Sequence, residues 1–118
     1  LASSAASDVY KRQAYSDSAS VTLKTTQNEA TSKSLACHHA KVSAYNYSTS
    51  KHNVSAALQL SSGSGWSNYG TFTLAPGSSG NTGTWGHSDY VYLCRAKLWV
   101  PGLPSSGCRA TGTVTVTD

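Results

Sequence analysis

Side chains that could bind a metal ion are concentrated at one point of the chain, Cys37-His38-His39. Thiolate and imidazole groups are the usual protein ligands of zinc. Successive side chains of a β-strand point to opposite faces, so these three could not readily hold one ion together. His52 and His87 are the remaining histidines, and no spacing matches a CxxC or HxxxH motif. The sequence therefore predicts no metal site and no cofactor.

Hydrolytic machinery has no recognisable motif in this chain. There are many serines but no Gly-x-Ser-x-Gly elbow, which would expose a nucleophilic serine at a sharp turn. The carboxylates after residue 13 are Asp17, Glu29, Asp89 and Asp118, and none forms a close pair in sequence. His87 precedes Asp89 by two positions, a spacing that more often shapes a turn. We therefore predict a non-enzymatic protein with no catalytic residues.

Composition narrows the functional classes further. The chain has 118 residues, of which 38% are hydrophobic and 12% charged, and the charged share is about half the usual value. Ser, Thr, Gly, Asn and Ala take the place of charged residues, as is typical of a neutral, β-rich extracellular surface. The net charge is +4, but the basic residues after residue 13 are scattered singly, which argues against a nucleic-acid partner. No apolar run reaches the ~18 residues of a membrane span. These features predict a secreted protein, and they leave its oligomeric state open.

Three cysteines, an odd number, suggest an oxidising compartment and one disulfide bond. A hairpin with its tip at Pro101-Gly102 would place Cys94 opposite Cys108 as a cross-strand neighbour. A disulfide there would add about 3 kcal/mol in the chain-entropy account. We therefore favour Cys94–Cys108, with Cys37–Cys94 as the alternative.

The N-terminal residues do not resemble the rest of the chain. Residues 7–13, SDVYKRQ, resemble translated sequencing-adapter sequence. We therefore expect residues 1–13 to be a non-native or disordered leader and residues 14–118 to form a single domain.

The aromatic residues give the clearest functional signal. Trp66 and Trp85 lie in Gly/Ser-rich segments that have no apolar pattern of their own. Together with Tyr69, Tyr90 and Trp99 they are predicted to form a stacking platform for sugar rings. The alternative is that each ring folds back and caps an end of the fold.

Alternation of apolar and polar residues predicts β-strands along most of the chain. A phase slip at His38-His39 predicts a β-bulge, and the early part of the Tyr90 segment is apolar on both faces, as in a buried central strand. Gly-, Pro- and Ser-rich segments separate the strands, and no helical period appears. We therefore predict an all-β fold, a small antiparallel β-sandwich of six to seven strands, immunoglobulin-like or Greek-key. The alternating segments cover about residues 18–26, 34–47, 54–61, 69–74, 90–99 and 110–116.

Tyr92-Leu93-Cys94 resembles the tyrosine corner of immunoglobulin-like sandwiches, where a tyrosine lies two residues before the second cysteine. Residues 112–116 resemble the strand that closes that fold, and Leu35-Ala36-Cys37 would supply the first cysteine. The tryptophan that follows the first cysteine in that family has no counterpart here, since the nearest is Trp66. The resemblance implies a sandwich and carries no function.

Taken together, these features predict a secreted, non-enzymatic β-sandwich module that binds an extracellular glycan or a cell-envelope component. The alternative is a secreted inhibitor or toxin-like protein. It would act through residues 99–107, WVPGLPSSG, a proline-stiffened loop that could enter a cleft at low entropic cost.

Overall fold

The computed structural model describes residues 16–87, 89–102 and 107–117, and these form strands, turns and loops without a helix. The leader expected at residues 1–13 lies outside the described residues. The strands pair into two antiparallel sheets, so the predicted all-β sandwich is confirmed. The strands are β1 (Ser16–Leu23), β2 (Glu29–Thr31), β3 (Leu35–Cys37), β4 (His39–Asn46), β5 (Val54–Ser61), β6 (Ser67–Leu74), β7 (Ser79–Asn81), β8 (Trp85–Gly86), β9 (Tyr92–Trp99) and β10 (Ala110–Thr117).

The first sheet has the order β1-β10-β4-β7, and β8 also pairs with β4. The second sheet has the order β2-β9-β5-β6, and β3 also pairs with β9. Every pairing is antiparallel. Within the described residues there is therefore no long apolar helix that could cross a membrane.

Six strands of eight residues each correspond to the six alternating segments of the sequence. The described chain nevertheless holds ten strands, where six to seven were predicted. The additional ones, β2, β3, β7 and β8, have two or three residues and lie along β9 or β4. β3 falls within the alternating segment of residues 34–47, whereas the other three show no apolar alternation by which the sequence could reveal them.

The chain crosses from one sheet to the other at His38. β3 pairs with β9 in the second sheet, whereas β4 pairs with β10 in the first. The single strand with a bulge predicted at His38-His39 is therefore wrong. The two sheets face each other across the core. When the chain passes from one sheet to the other, the alternation of inward-facing and outward-facing residues therefore shifts by one position. The slip between Cys37 and Ala40, both buried, records this crossing.

The predicted hairpin around Pro101-Gly102 is also wrong. β9 belongs to the second sheet, whereas β10 lies between β1 and β4 in the first sheet. Trp99 and Ala110 therefore belong to strands of different sheets, and packed sheets lie roughly 10 Å apart. Cys94 and Cys108 are consequently not cross-strand neighbours.

The core between the sheets consists of two hydrophobic clusters. One contains Leu23 and Leu98, the other contains Leu58 and Val114, and Val21 packs against both. The sheets approach closely at Gly112, where a Cβ would lie 3.2 Å from Cδ2 of Leu98.

Strand β5 is buried on both faces, whereas alternation of apolar and polar residues is typical of a strand with one exposed face. The beginning of the Tyr90 segment shows the reverse, since Val91 is 59% and Leu93 47% exposed. Its predicted burial on both faces is therefore wrong. β5 lies between β9 and β6, and its outward-facing residues are in register with long side chains of β9. The apolar start of β9 instead remains exposed.

Candidate functional site

The five aromatic residues predicted to bind sugar lie in three different places. Trp66 and Trp99 lie on the outer face of the second sheet, and both are partly buried. Trp85 and Tyr90 belong to a separate ring cluster. Tyr69 lies on β6, at the edge of the second sheet, and is 41% exposed. The five residues therefore do not form one platform.

A row of planar side chains crosses the outer face of the second sheet. The guanidinium of Arg95 lies over the Trp66 ring, with Cζ 4.0 Å from the ring centroid. Nε of Arg95 donates a hydrogen bond of 2.8 Å to Oε1 of Gln59. Nε2 of Gln59 in turn donates one of 2.9 Å to Oδ1 of Asn68. The row thus connects β9, β5 and β6, and each member orients the next.

Trp99 lies further along β9 on the same face. Arg95, Lys97 and Trp99 alternate with residues that are buried in the core, so all three point outward. Nζ of Lys97 lies 5.5 Å from the centroid of the Trp99 ring. The rise of a strand places the Cα atoms of Arg95 and Trp99 about 13 Å apart. We call this surface, made by Trp66, Arg95, Lys97, Trp99, Gln59 and Asn68, the tryptophan face.

Long side chains from β9 cover the middle of the tryptophan face. Ser55, Ala57 and Gln59 point outward from β5 but are buried, and Gln59 is only 6% exposed. Ser55 also shares a hydrogen bond of 2.9 Å with Thr73 on β6. Packing and hydrogen bonds therefore fix the positions of these side chains. The register partners of Ser55, Ala57 and Gln59 on β9 are Trp99, Lys97 and Arg95, respectively.

A second aromatic group joins the two sheets where β8 and the start of β9 meet. Trp85 makes an edge contact with Tyr92, at 4.9 Å between ring centroids. His87 lies 5.2 Å from Tyr90 and 5.6 Å from Tyr92. His87 is fixed by its backbone, which donates a hydrogen bond of 2.8 Å to the carbonyl of His38. We call Trp85, His87, Tyr90 and Tyr92 the Trp85 cluster; its Tyr90 is 65% exposed.

The three cysteines are buried free thiols. Cys37 and Cys94 are hydrogen-bonded to each other, which lowers the pKa of Cys37 and, together with burial, raises the pKa of Cys94. Sγ of Cys108 donates to the carbonyl of His52 at 3.4 Å. The expected partner of Cys94 was Cys108, but its thiol neighbour in the structure is Cys37. A disulfide at either pair stays a prediction.

Two other expectations concern metal binding and the 99–107 loop. Among residues 16–87, 89–102 and 107–117, no group of three or more His, Cys, Asp or Glu side chains could hold a metal ion. The middle of the loop, residues 103–106, lies outside the described residues, so its use as an inhibitory loop stays a prediction. Its far end is anchored, because the amide of Gly107 donates a hydrogen bond of 2.8 Å to the carbonyl of Thr25.

Sequence reasoning missed Arg95, Lys97, Gln59 and Asn68 as site residues. The alternation of Arg95 and Lys97 with buried positions was a usable signal, because it placed them on the face of Trp99. Gln59 and Asn68 had no such signal, since only the register of β5 against its neighbours brings them to Arg95.

No protein-family model, curated protein or solved structure matches the chain. Its function is therefore argued from its own geometry.

Proposed function

We propose that this protein is a secreted, non-enzymatic module that binds a polysaccharide of the extracellular space or cell envelope through the tryptophan face. One observation carries the proposal: a hydrogen-bonded row of planar polar side chains lies between two tryptophans on one open sheet face. The neutral Ser/Thr/Gly-rich composition supports the extracellular setting.

The chemistry of the tryptophan face matches that of a sugar. A pyranose ring has an apolar C–H side that packs on an indole, and a rim of hydroxyls that need hydrogen-bond partners. Arg95 uses only Nε in its bond to Gln59, so its terminal N–H groups can donate to hydroxyls. The amide nitrogen of Asn68 is a further donor beside Trp66.

The shape of the face favours a chain of sugars over a single one. The Cα distance of about 13 Å between Arg95 and Trp99 exceeds the length of one sugar ring. Trp66 and Trp99 would therefore hold different residues of the same polysaccharide, with Arg95 and Lys97 between them. Because these side chains are already ordered, little conformational entropy is lost on binding.

Binding to a panel of polysaccharides tests the proposal. Purified protein would be run through native gels containing cellulose derivatives, xylan, chitosan or mannan, and pelleted with insoluble cellulose, chitin and peptidoglycan. We expect the double variant Trp66→Ala/Trp99→Ala to bind its polysaccharide at least about tenfold more weakly than the native chain. Tyr90→Ala and Tyr69→Ala are the matched controls, since each removes an exposed aromatic ring that lies elsewhere.

Thermal melting of each variant separates loss of the ligand contacts from loss of the fold. Binding that survives in a folded double variant would overturn the proposed site, and loss of binding in Tyr90→Ala would move the site to the Trp85 cluster. A native chain that binds no member of the panel would contradict the proposed function.

A further inference from the structure

The register of β3 and β9 brings two thiols together in the core. Leu35 lies opposite Cys94, and Cys37 lies opposite Tyr92, so Cys37 and Cys94 are diagonal neighbours on adjacent antiparallel strands. Both side chains belong to the same buried hydrophobic cluster. The pKa of each thiol is shifted chiefly by its hydrogen bond with the other. Diagonal neighbours in a regular sheet lie about 7–8 Å apart, so a bond between them requires a small movement of β3 toward β9.

We propose that Cys37 and Cys94 form an intramolecular disulfide bond that links β3 to β9, with a small-molecule disulfide such as glutathione disulfide as the oxidant. This inference is independent of polysaccharide binding. It places the crosslink between neighbouring strands of one sheet, and it leaves Cys108 as a thiol.

The reaction is a pair of thiol–disulfide exchanges. The Cys37 thiolate attacks one sulfur of glutathione disulfide, which forms a mixed disulfide and releases one glutathione thiolate. The Cys94 thiol then gives its proton to solvent and attacks the Cys37 sulfur, which releases the second glutathione thiolate. Two protein thiols are oxidised to one disulfide, and one glutathione disulfide is reduced to two glutathione molecules.

Two observations favour Cys37 as the first nucleophile. The hydrogen bond from Cys94 lowers the pKa of Cys37, which favours its reactive thiolate form. Cys37 also ends a strand of three residues that lies along the outer side of β9, whereas Cys94 lies within β9, between β3 and β5. Such a short edge strand can open locally and admit the oxidant without unfolding of the sandwich.

Cys108 is placed unfavourably for a disulfide bond with either Cys37 or Cys94. It belongs to the other hydrophobic cluster, with Leu23 and Leu98, and its thiol is occupied by the carbonyl of His52. The odd number of cysteines is thereby explained within one chain, as one bonded pair and one buried thiol.

The crosslink would also support the Trp85 cluster. Tyr92, the register partner of Cys37, contacts both Trp85 and His87. A bond beside Tyr92 would fix the point at which the chain crosses between sheets at His38. We therefore expect oxidation to raise the melting temperature and to leave the Trp85 environment unchanged.

Peptide mapping tests the proposal, because trypsin separates the three cysteines. Cys37, Cys94 and Cys108 fall into peptides 34–41, 52–95 and 98–109, respectively. The full chain would be refolded in a glutathione redox buffer, alkylated and digested without reduction. We expect peptides 34–41 and 52–95 to be linked and peptide 98–109 to be alkylated.

Single variants give a second readout. Cys108→Ser should retain the linked peptides and a melting temperature that falls on reduction. Cys37→Ser and Cys94→Ser should melt at the same temperature with and without reductant. A link between peptides 52–95 and 98–109, or three alkylated cysteines after refolding in oxidised buffer, would overturn the proposal.

Discussion

The guanidinium of Arg95 lies over the ring of Trp66, 4.0 Å from its centroid, while its Nε–H is donated to Gln59. Both partners are uncharged, so they fix the orientation of the guanidinium without neutralising its positive charge. The hydrogen bond also supplies a donor to Gln59, an outward-facing amide that is nevertheless buried. One side chain therefore links the order of the tryptophan face to the stability of the sheet beneath it.

Replacing Arg95 by lysine should separate the effect of its positive charge on stability from the effect of its planar guanidinium. Arg95→Lys keeps the charge but loses the planar stack and the fixed Nε–H donor, which leaves Oε1 of Gln59 without its partner. We expect the free energy of unfolding, measured by urea denaturation, to fall by about 1–2 kcal/mol. Lys41→Arg, on the exposed face of β4, is the control, with an expected change within about 0.5 kcal/mol. Equal changes in the two variants would contradict a role for the stack.

The side chain of Asn46 links β4 by hydrogen bonds to the segments that contain His52 and Leu74. Its side chain is fully buried, and Nδ2 donates hydrogen bonds of 3.1 Å to the carbonyl of His52 and 3.0 Å to that of Leu74. Asn46→Asp replaces both donors by an oxygen that faces two carbonyl oxygens. We expect a loss of about 2–4 kcal/mol in the free energy of unfolding near neutral pH.

The same variant has a predicted pH dependence. The introduced carboxyl is destabilising chiefly when it is charged, and its protonated form can donate one hydrogen bond. The loss in Asn46→Asp should therefore be smaller at about pH 4 than at about pH 7, measured against the native chain at each pH. Asn53→Asp is the exposed control and should change stability little at either pH. A loss that does not depend on pH would show that the charge of the introduced carboxyl is not its cause.

Gly70 and Gly83 allow backbone strain to be separated from a steric contact. Both have a positive φ, +69° at Gly70 and +75° at Gly83. A Cβ at Gly70 would lie 2.8 Å from Cβ of Thr82, whereas a Cβ at Gly83 would meet nothing within 4 Å. Thr82 cannot shift freely, because its Oγ1 accepts a hydrogen bond of 3.1 Å from the amide of Val42.

We therefore expect Gly70→Ala to destabilise the protein more than Gly83→Ala does. Each alanine costs about 1–2 kcal/mol for the left-handed backbone, and the contact with Thr82 adds at least about 1 kcal/mol at Gly70. Urea denaturation of the two variants measures the difference. Equal losses would mean that the Thr82 contact is relieved without cost.

The edge contact between Trp85 and Tyr92 should appear as an interaction energy across the two sheets. A double-mutant cycle with Trp85→Ala and Tyr92→Ala is expected to give a coupling of about 0.5–1.5 kcal/mol in the free energy of unfolding. The control cycle pairs Trp85→Ala with Trp99→Ala. Tyr92 and Trp99 are about 23 Å apart along β9, so the control effects should be additive. Coupling of equal size in both cycles would point to a general loosening of the fold.

The long strands could be predicted from sequence because burial of one face imposes a period of two. Val42 and Ala44 in β4, and Val114 and Val116 in β10, are buried at alternate positions, as their pattern indicates. The alternation of residues does not show to which of the two sheets a strand belongs. The hairpin expected between Cys94 and Cys108 was therefore wrong, since alternation alone cannot distinguish a return within one sheet from a crossing to the other.

The candidate site was predictable only in part, for a related reason. Outward-facing Trp99 could be found from the alternation in β9, and Trp66 from its isolation in a polar segment. The contact of Trp66 with Arg95 depends on the register of β6, β5 and β9, which pairs residues far apart in sequence. The neighbourhood of Cys37 and Cys94 likewise depends on the pairing of β3 with β9, which joins residues far apart in sequence.

The pairing of β1 with β10 places Ser16 directly opposite Thr117, so the polypeptide enters and leaves the sandwich side by side. A linker of a few residues could join these two points into a closed ring, and the chain could be reopened at the exposed turn of residues 62–65 as a circular permutant. For the same reason the sandwich could be inserted as a guest into a surface loop of a host protein without pulling the host's loop apart.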